Sequence, residues 1–228
     1  MKKFWGFLLV IVLMTSCGEY QSLLKSNDYN LVYKKAIEYY NKGDYQRAMN
    51  LLDGVRSVFV GQAKAQNIAY YRAFCSYNMK DYQIASDLFK QFIQTYPESS
   101  FAEECLYMMG FCDYKASPKP RLDQQVTEKA IREFQLYLSR YPYSMRKDKV
   151  NTYMDEMRDK LSYKAYLSAK NYYLREHYKA AVISLQNCLK DYPGSKYREE
   201  IMYMLFVSKY QMAVNLSLIH ISEPTRRS

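Results

Sequence analysis

Few side chains in this sequence are placed to do covalent chemistry. It has two histidines, His177 and His220. His177 falls in a Glu-His-Tyr turn where two related stretches carry Asp44 and Asp81, so it reads as a solvated turn residue rather than a general base. No glycine-rich phosphate loop, metal-spaced Cys/His cluster or nucleophile elbow occurs. The adjacent carboxylates Glu103-Glu104 and Glu199-Glu200 each fall at the start of an expected helix, where the macrodipole favours negative charge. Cys105 and Cys112 sit about 10.5 Å apart along an expected helix, too far to bridge. Cys75, Cys105, Cys112 and Cys188 are therefore read as buried free thiols. The expectation is a protein that is not an enzyme, with no catalytic residue, no metal site and no cofactor.

The abundant chemical group is instead the phenol. The chain has 26 Tyr against 21 Leu, although leucine ordinarily leads. A ring with an apolar face and a polar tip suits binding rather than bond-making. The tyrosines are also phased. Gly43-Asp44-Tyr45-Gln46-Arg47-Ala48 recurs as Lys80-Asp81-Tyr82-Gln83-Ile84-Ala85, and more loosely as Glu176-His177-Tyr178-Lys179-Ala180-Ala181. Twelve residues before these alanines stand Ala36, Ala73 and Ala169; twelve after Ala85, Ala130 and Ala181 come Pro97, Pro142 and Pro193, each preceded by Tyr. Ala36, Ala73 and Gly110 are 37 residues apart, as are Ala169 and Phe206. Three residues before and four after these five positions are Tyr: Tyr33 and Tyr40, Tyr70 and Tyr77, Tyr107 and Tyr114, Tyr166 and Tyr173, Tyr203 and Tyr210.

A repeat of this length is read as a helical hairpin. The small residue lets the second helix approach the first. The Ala of that second helix, with the large residue four places on (Leu52, Phe89, Phe134, Leu185), fills the seam, and Pro ends it. The fold class is all-α, a superhelix of about five such units: roughly 31–64, 65–100, 101–145, 146–196, and a first helix from Tyr197. Ala116 to Gln125, with Pro118 and Pro120, is an insertion expected as a rigid loop, and Arg146 to Glu176 is expected as one long helix. Each Tyr pair lies on one face of its helix. Two readings stay open for these rings: half-buried shields over the hairpin seam, or a ladder that grips an extended or aromatic-ended peptide.

The ends of the chain call for separate treatment. Lys2 and Lys3 precede an apolar run, Phe4 to Met14, that would span about 16 Å as a helix, about half a bilayer core. That is a secretory leader (1–16) rather than a membrane span. Met14-Thr15-Ser16-Cys17 resembles a bacterial lipoprotein box, in which the Cys thiol is lipidated and becomes the mature N-terminus. Gly18 then implies sorting to the outer membrane, with the body facing the periplasm. Residues 17–30 are expected as a lipid-anchored linker, 31–145 as units one to three, and 146–215 as the long connector, unit four and the first helix of unit five. Leu216 to Arg226 reads LSLIHISEPTR, which resembles the translation of a sequencing-library adapter; residues 216–228 are set aside as non-native and the native chain is expected to continue. The net charge of +10 with many Tyr is compatible with single-stranded nucleic acid, but Lys and Arg are interspersed with acids and export removes that partner.

The small, Ala, aromatic and Pro positions resemble the tetratricopeptide repeat over Leu31 to about Ala213. Together with Cys17, the run Tyr33-Lys34-Lys35-Ala36, the third-unit insertion, the long connector and Lys190-Asp191-Tyr192-Pro193, they resemble the BamD-type lipoproteins of outer-membrane β-barrel assembly, with a Tyr content like the Bacteroidota branch. The resemblance implies a non-enzymatic scaffold at the outer membrane, beside a BamA-like barrel subunit and its POTRA domains, receiving unfolded outer-membrane proteins. It also implies that Tyr33, Tyr40, Tyr70, Tyr77, Tyr107 and Tyr114 look toward a concave, peptide-binding groove. Relatives place an Arg on the fourth unit's second helix against the barrel subunit; Ser184 stands there, so the docking residues are not implied. The rival reading is a periplasmic tetratricopeptide lipoprotein that scaffolds another cell-envelope complex.

Overall fold

The computed structural model describes residues 19–222, with side chains through 214. The leader, Cys17 and residues 223–228 lie outside the described residues. Ten helices and no strand are found among the described residues. They are α1 (19–24), α2 (Tyr29–Asn41), α3 (Tyr45–Val55), α4 (Ala63–Asn78), α5 (Tyr82–Thr95), α6 (Ala102–Ala116), α7 (Gln125–Arg140), α8 (Lys147–Leu174), α9 (Tyr178–Asp191) and α10 (Arg198–Ser222). No helix among them is long and apolar enough to cross a membrane.

The repeated hexapeptide is the hairpin turn. In the first unit the N–H of Gly43 donates to Tyr40 O and that of Asp44 to Tyr39 O. These are the two bonds of a Schellman end, with Gly43 left-handed at φ +81°. Asp44 then starts α3, its carboxylate accepting from the Arg47 N–H at 3.2 Å. The same pair of bonds recurs at Lys80 and Asp81 on Tyr77 and Ser76, and at Glu176 and His177 on Tyr173 and Tyr172. There the left-handed position holds ordinary residues, Lys80 at φ +68° and Glu176 at +59°. His177 thus stands at the N-cap position of α9, makes no side-chain capping bond and is exposed, as a solvated turn residue.

Two compact units result. The first holds residues up to Ala116 together with 129–144. Its seams are built on the small positions: Ala36, Ala48, Ala73, Ala85 and Ala130 are fully buried, as are Leu52, Phe89 and Phe134. Gly110 is required by close approach. A Cβ there would stand 2.8 Å from Phe134 Cδ1. The first unit also buries polar groups between α5, α6 and α7. Asp113 is fully buried, accepts from Ser86 at 3.1 Å and pairs with Lys129 at 2.9 Å. Beside them Glu133 is buried, and burial together with its hydrogen bond to the Asp113 carboxylate pushes its own carboxyl up to about 8. All four cysteines expected to be free are free and buried.

The second unit holds 117–128 and 145 onward. The insertion, counted above with the third unit, belongs here. Gln124 Nε2 donates to Lys119 O and Leu122 O, while Lys160 and Lys164 of α8 hold Ser117 Oγ at 2.6 Å and Leu122 O at 2.8 Å. The long helix α8 carries a buried stripe, Val150, Met154, Met157, Tyr166 and Ala169, at helical spacing. Ala169, Ala181, Leu185 and Ile201 close the α8–α9–α10 core. On α10 the small position holds Phe206, 70% exposed.

Candidate functional site

The site follows from where the repeat puts its rings. In the first unit Tyr33 of α2 and Tyr70 of α4 occupy the same repeat position, and both line a cleft of about 500 Å³. Tyr71, Phe101, Lys34, Ile37, Glu38, Asn41 and Asn67 complete it. Its floor is a run of edge and tilted ring contacts: Tyr70 lies 4.6 Å from Phe101, 4.5 Å from Phe74 and 5.5 Å from Tyr71, which in turn lies 4.9 Å from Tyr40. Tyr70 donates its hydroxyl to Glu104 Oε2 at 2.9 Å. Burial and that carboxylate both raise the Tyr70 phenol well above its ordinary value, so it stays a neutral donor. Burial likewise raises Tyr33, opposed by a hydrogen bond with Asn67.

The other expected rings are distributed differently. Tyr40 is half-buried between Tyr45 and Tyr71, and burial pushes its phenol up to about 12. Tyr77 bridges two units, 5.9 Å from Tyr82 of its own hairpin and 6.2 Å from Phe111 of the next. Tyr114 stacks on Phe111 at 5.9 Å. Tyr107 departs from the groove expectation: it is 7% exposed, closed in by Phe111, Phe134 and Tyr137, which leaves its ring little free face. In the second unit Tyr166 is buried against Tyr197, with ring centroids 4.4 Å apart, whereas Tyr203 and Tyr210 are exposed. The cleft therefore unites Tyr33 and Tyr70, does not include the other four, and recruits Tyr71 and Phe101, which the period does not mark.

Chemically this surface is suited to contact rather than bond-making. It offers ring faces, a carboxylate and amides at the rim, and no nucleophile–base pair. No group of residues that could hold a metal ion occurs among the described residues. Raised thiols at Cys75 and Cys105, each pushed by burial to about 12, are unreactive packing groups.

A family model described as outer membrane lipoprotein, YfiO, matches residues 25–219. No curated protein matches the chain. The matched span takes in every hairpin described above, the insertion and the long helix α8. The chain belongs to the YfiO family of outer membrane lipoproteins.

Proposed function

We propose that this lipoprotein is a non-enzymatic component of outer-membrane β-barrel assembly, anchored through a lipid on Cys17 and facing the periplasm. It scaffolds a BamA-like barrel subunit through that subunit's POTRA domains and receives unfolded barrel precursors in the aromatic cleft of its first unit. The observation that carries the reading is the cleft itself: Tyr33, Tyr70, Tyr71 and Phe101 present apolar faces beside Asn41, Asn67 and Glu38, on a member of an outer membrane lipoprotein family. An extended segment ending in an aromatic residue matches that surface, with a ring for the floor and backbone N–H and C=O for the amide rim.

The test is binding of a barrel C-terminal peptide ending in Phe to the wild type and to Tyr33→Ala/Tyr70→Ala, with helicity checked by circular dichroism. Loss of two anchors is expected to weaken binding by about tenfold or more. Equal affinity would refute the cleft as client site while leaving the scaffold role, which co-purification of the barrel subunit from membranes tests separately.

A further inference from the structure

The segment between the lipidation residue and the first repeat is not free chain. Leu23 of α1 is 5% exposed and belongs to the same buried cluster as Val32, Ala36 and Leu51. Tyr20 meets Tyr39 of α2 edge-on at 6.0 Å, accepts from Asn50 of α3 at 3.0 Å and lies under the Arg47 guanidinium. Glu19 pairs with Lys35 at 3.0 Å. These contacts reach both helices of the first hairpin, so α1 seals the open end of that hairpin's core, as a cap does in a solenoid. Glu19 is also only two residues from Cys17, so acyl chains on that Cys begin within about 7 Å of backbone from a residue fixed to the hairpin.

The surface beside this point, at the α1–α2 turn, is largely apolar: Leu24 is 49%, Tyr29 38% and Leu31 42% exposed, beside exposed Lys25. The Asp28 carboxylate in this turn accepts from the Leu31 N–H at 3.0 Å, and Lys25 pairs with no carboxylate among the described residues. Exposed aliphatic and Tyr side chains beside unpaired Lys are the composition that settles at a headgroup–acyl boundary, rings and methyls inward and ammonium groups outward.

We propose that α1 and the first turn of α2 form a membrane-contact face, with Leu24, Tyr29 and Leu31 seated in the lipid interface and Lys25 against anionic headgroups. The inference rests on lipidation of Cys17. A tether this short keeps the face at the bilayer at high effective concentration, so three apolar side chains too weak to bind alone suffice to orient the body.

Trp5 is the one tryptophan of the chain and precedes Cys17, so the processed protein carries none. Leu24→Trp and Leu31→Trp therefore place single reporters on the face, and Ile183→Trp, at a position 62% exposed on α9, is the control. The lipidated protein is reconstituted in phosphatidylethanolamine/phosphatidylglycerol vesicles with and without brominated acyl chains. Expected are blue-shifted emission and at least about twofold quenching by brominated lipid at positions 24 and 31, none at 183, and reduced quenching when Lys25→Glu is added. Quenching at 24 and 31 no greater than at 183, in protein whose intact mass shows acylated Cys17, overturns the proposal and spares the lipidation reading. An intact mass without acyl chains overturns that reading, and the proposal with it.

Discussion

Two of the three hairpin turns that share the Schellman end carry a residue whose side chain opposes its own backbone. Lys80 and Glu176 are held at φ +68° and +59°, where Gly43 sits in the first unit. A side chain in the left-handed region costs about 1–2 kcal/mol, and glycine returns about 0.5–1 kcal/mol of that through its freedom in the unfolded chain. Lys80→Gly is expected to stabilise the protein by about 0.5–1 kcal/mol, a rise in Tm of about 2–4 °C per kcal/mol for a chain of this size. Lys80 is exposed and its side chain makes no hydrogen bond or ion pair among the described residues. The reverse experiment is Gly43→Ala. A Cβ at Gly43 meets no atom within 4 Å, so its net loss of about 0.5–1 kcal/mol would come from backbone conformation alone. The assay is urea denaturation followed by circular dichroism, with amide exchange in α4 and α5, because a solenoid feels a change first in the hairpin that carries it. A lower urea midpoint for Lys80→Gly, or an unchanged one for Gly43→Ala, would refute the reasoning.

Other outcomes follow from the same geometry. Gly110→Ala drives a methyl to 2.8 Å from the fully buried Phe134 ring and is expected to cost about 1–3 kcal/mol, with Phe134→Leu in the same chain restoring part of the loss in thermal melts. Asp44→Ala removes the cap on the Arg47 N–H and is expected to lower stability by about 1 kcal/mol in urea titration. Glu133 is raised to about 8 in the folded chain and titrates near its ordinary value when unfolded, so the folded protein holds a proton the unfolded chain gives up. Its contribution is full below the unfolded value and is lost as pH rises toward about 8; Glu133→Gln is expected to flatten the fall of the urea midpoint between about pH 5 and 8.5, and an unchanged slope refutes the assignment. Tyr70→Phe removes the hydroxyl bond to Glu104 but keeps the ring, so stability is expected to drop by about 1 kcal/mol while affinity for an aromatic-ended peptide persists in the binding assay.

The register of the hairpins is legible because it is a packing constraint that recurs. Ala36, Ala73, Gly110 and Ala169 each meet a second helix, and a larger side chain at any of them has nowhere to go. Self-comparison detects what repeats and is blind to what occurs once. Tyr71 and Phe101 line the cleft, yet Lys34 and Met108 stand at the repeat position of Tyr71, and Lys64 at that of Phe101, so neither residue has a phase to reveal it. Segment 19–24 lies outside the period altogether and reads as linker, although Leu23 and Tyr20 bind it to the first hairpin. Tyr107 shows the converse. It has the right phase, but three neighbouring rings close over it, and spacing along one helix carries no information about what the next helix covers.

Part of the surplus of tyrosine follows from the seams between successive hairpins of the first unit, whose edges are neither core nor water. Phe at such an edge would leave an apolar rim exposed, and Leu would lack the reach to cross to the next unit. Tyr spans the gap and ends in a group that finds a polar partner on the next hairpin: Glu104 for Tyr70 and Asn78 for Tyr40. Packing and the proposed recognition then follow from one arrangement and need not compete. A ring pinned along one side by its neighbours has already lost its rotamer freedom, so a ligand on the face left open at Tyr33 and Tyr70 would not spend that entropy again. Truncation to Ala removes the pin and the face together, so a loss of peptide binding in the Ala variant counts against the face only where its helicity is kept, and Tyr70→Phe, which keeps the ring, isolates the part played by the hydroxyl.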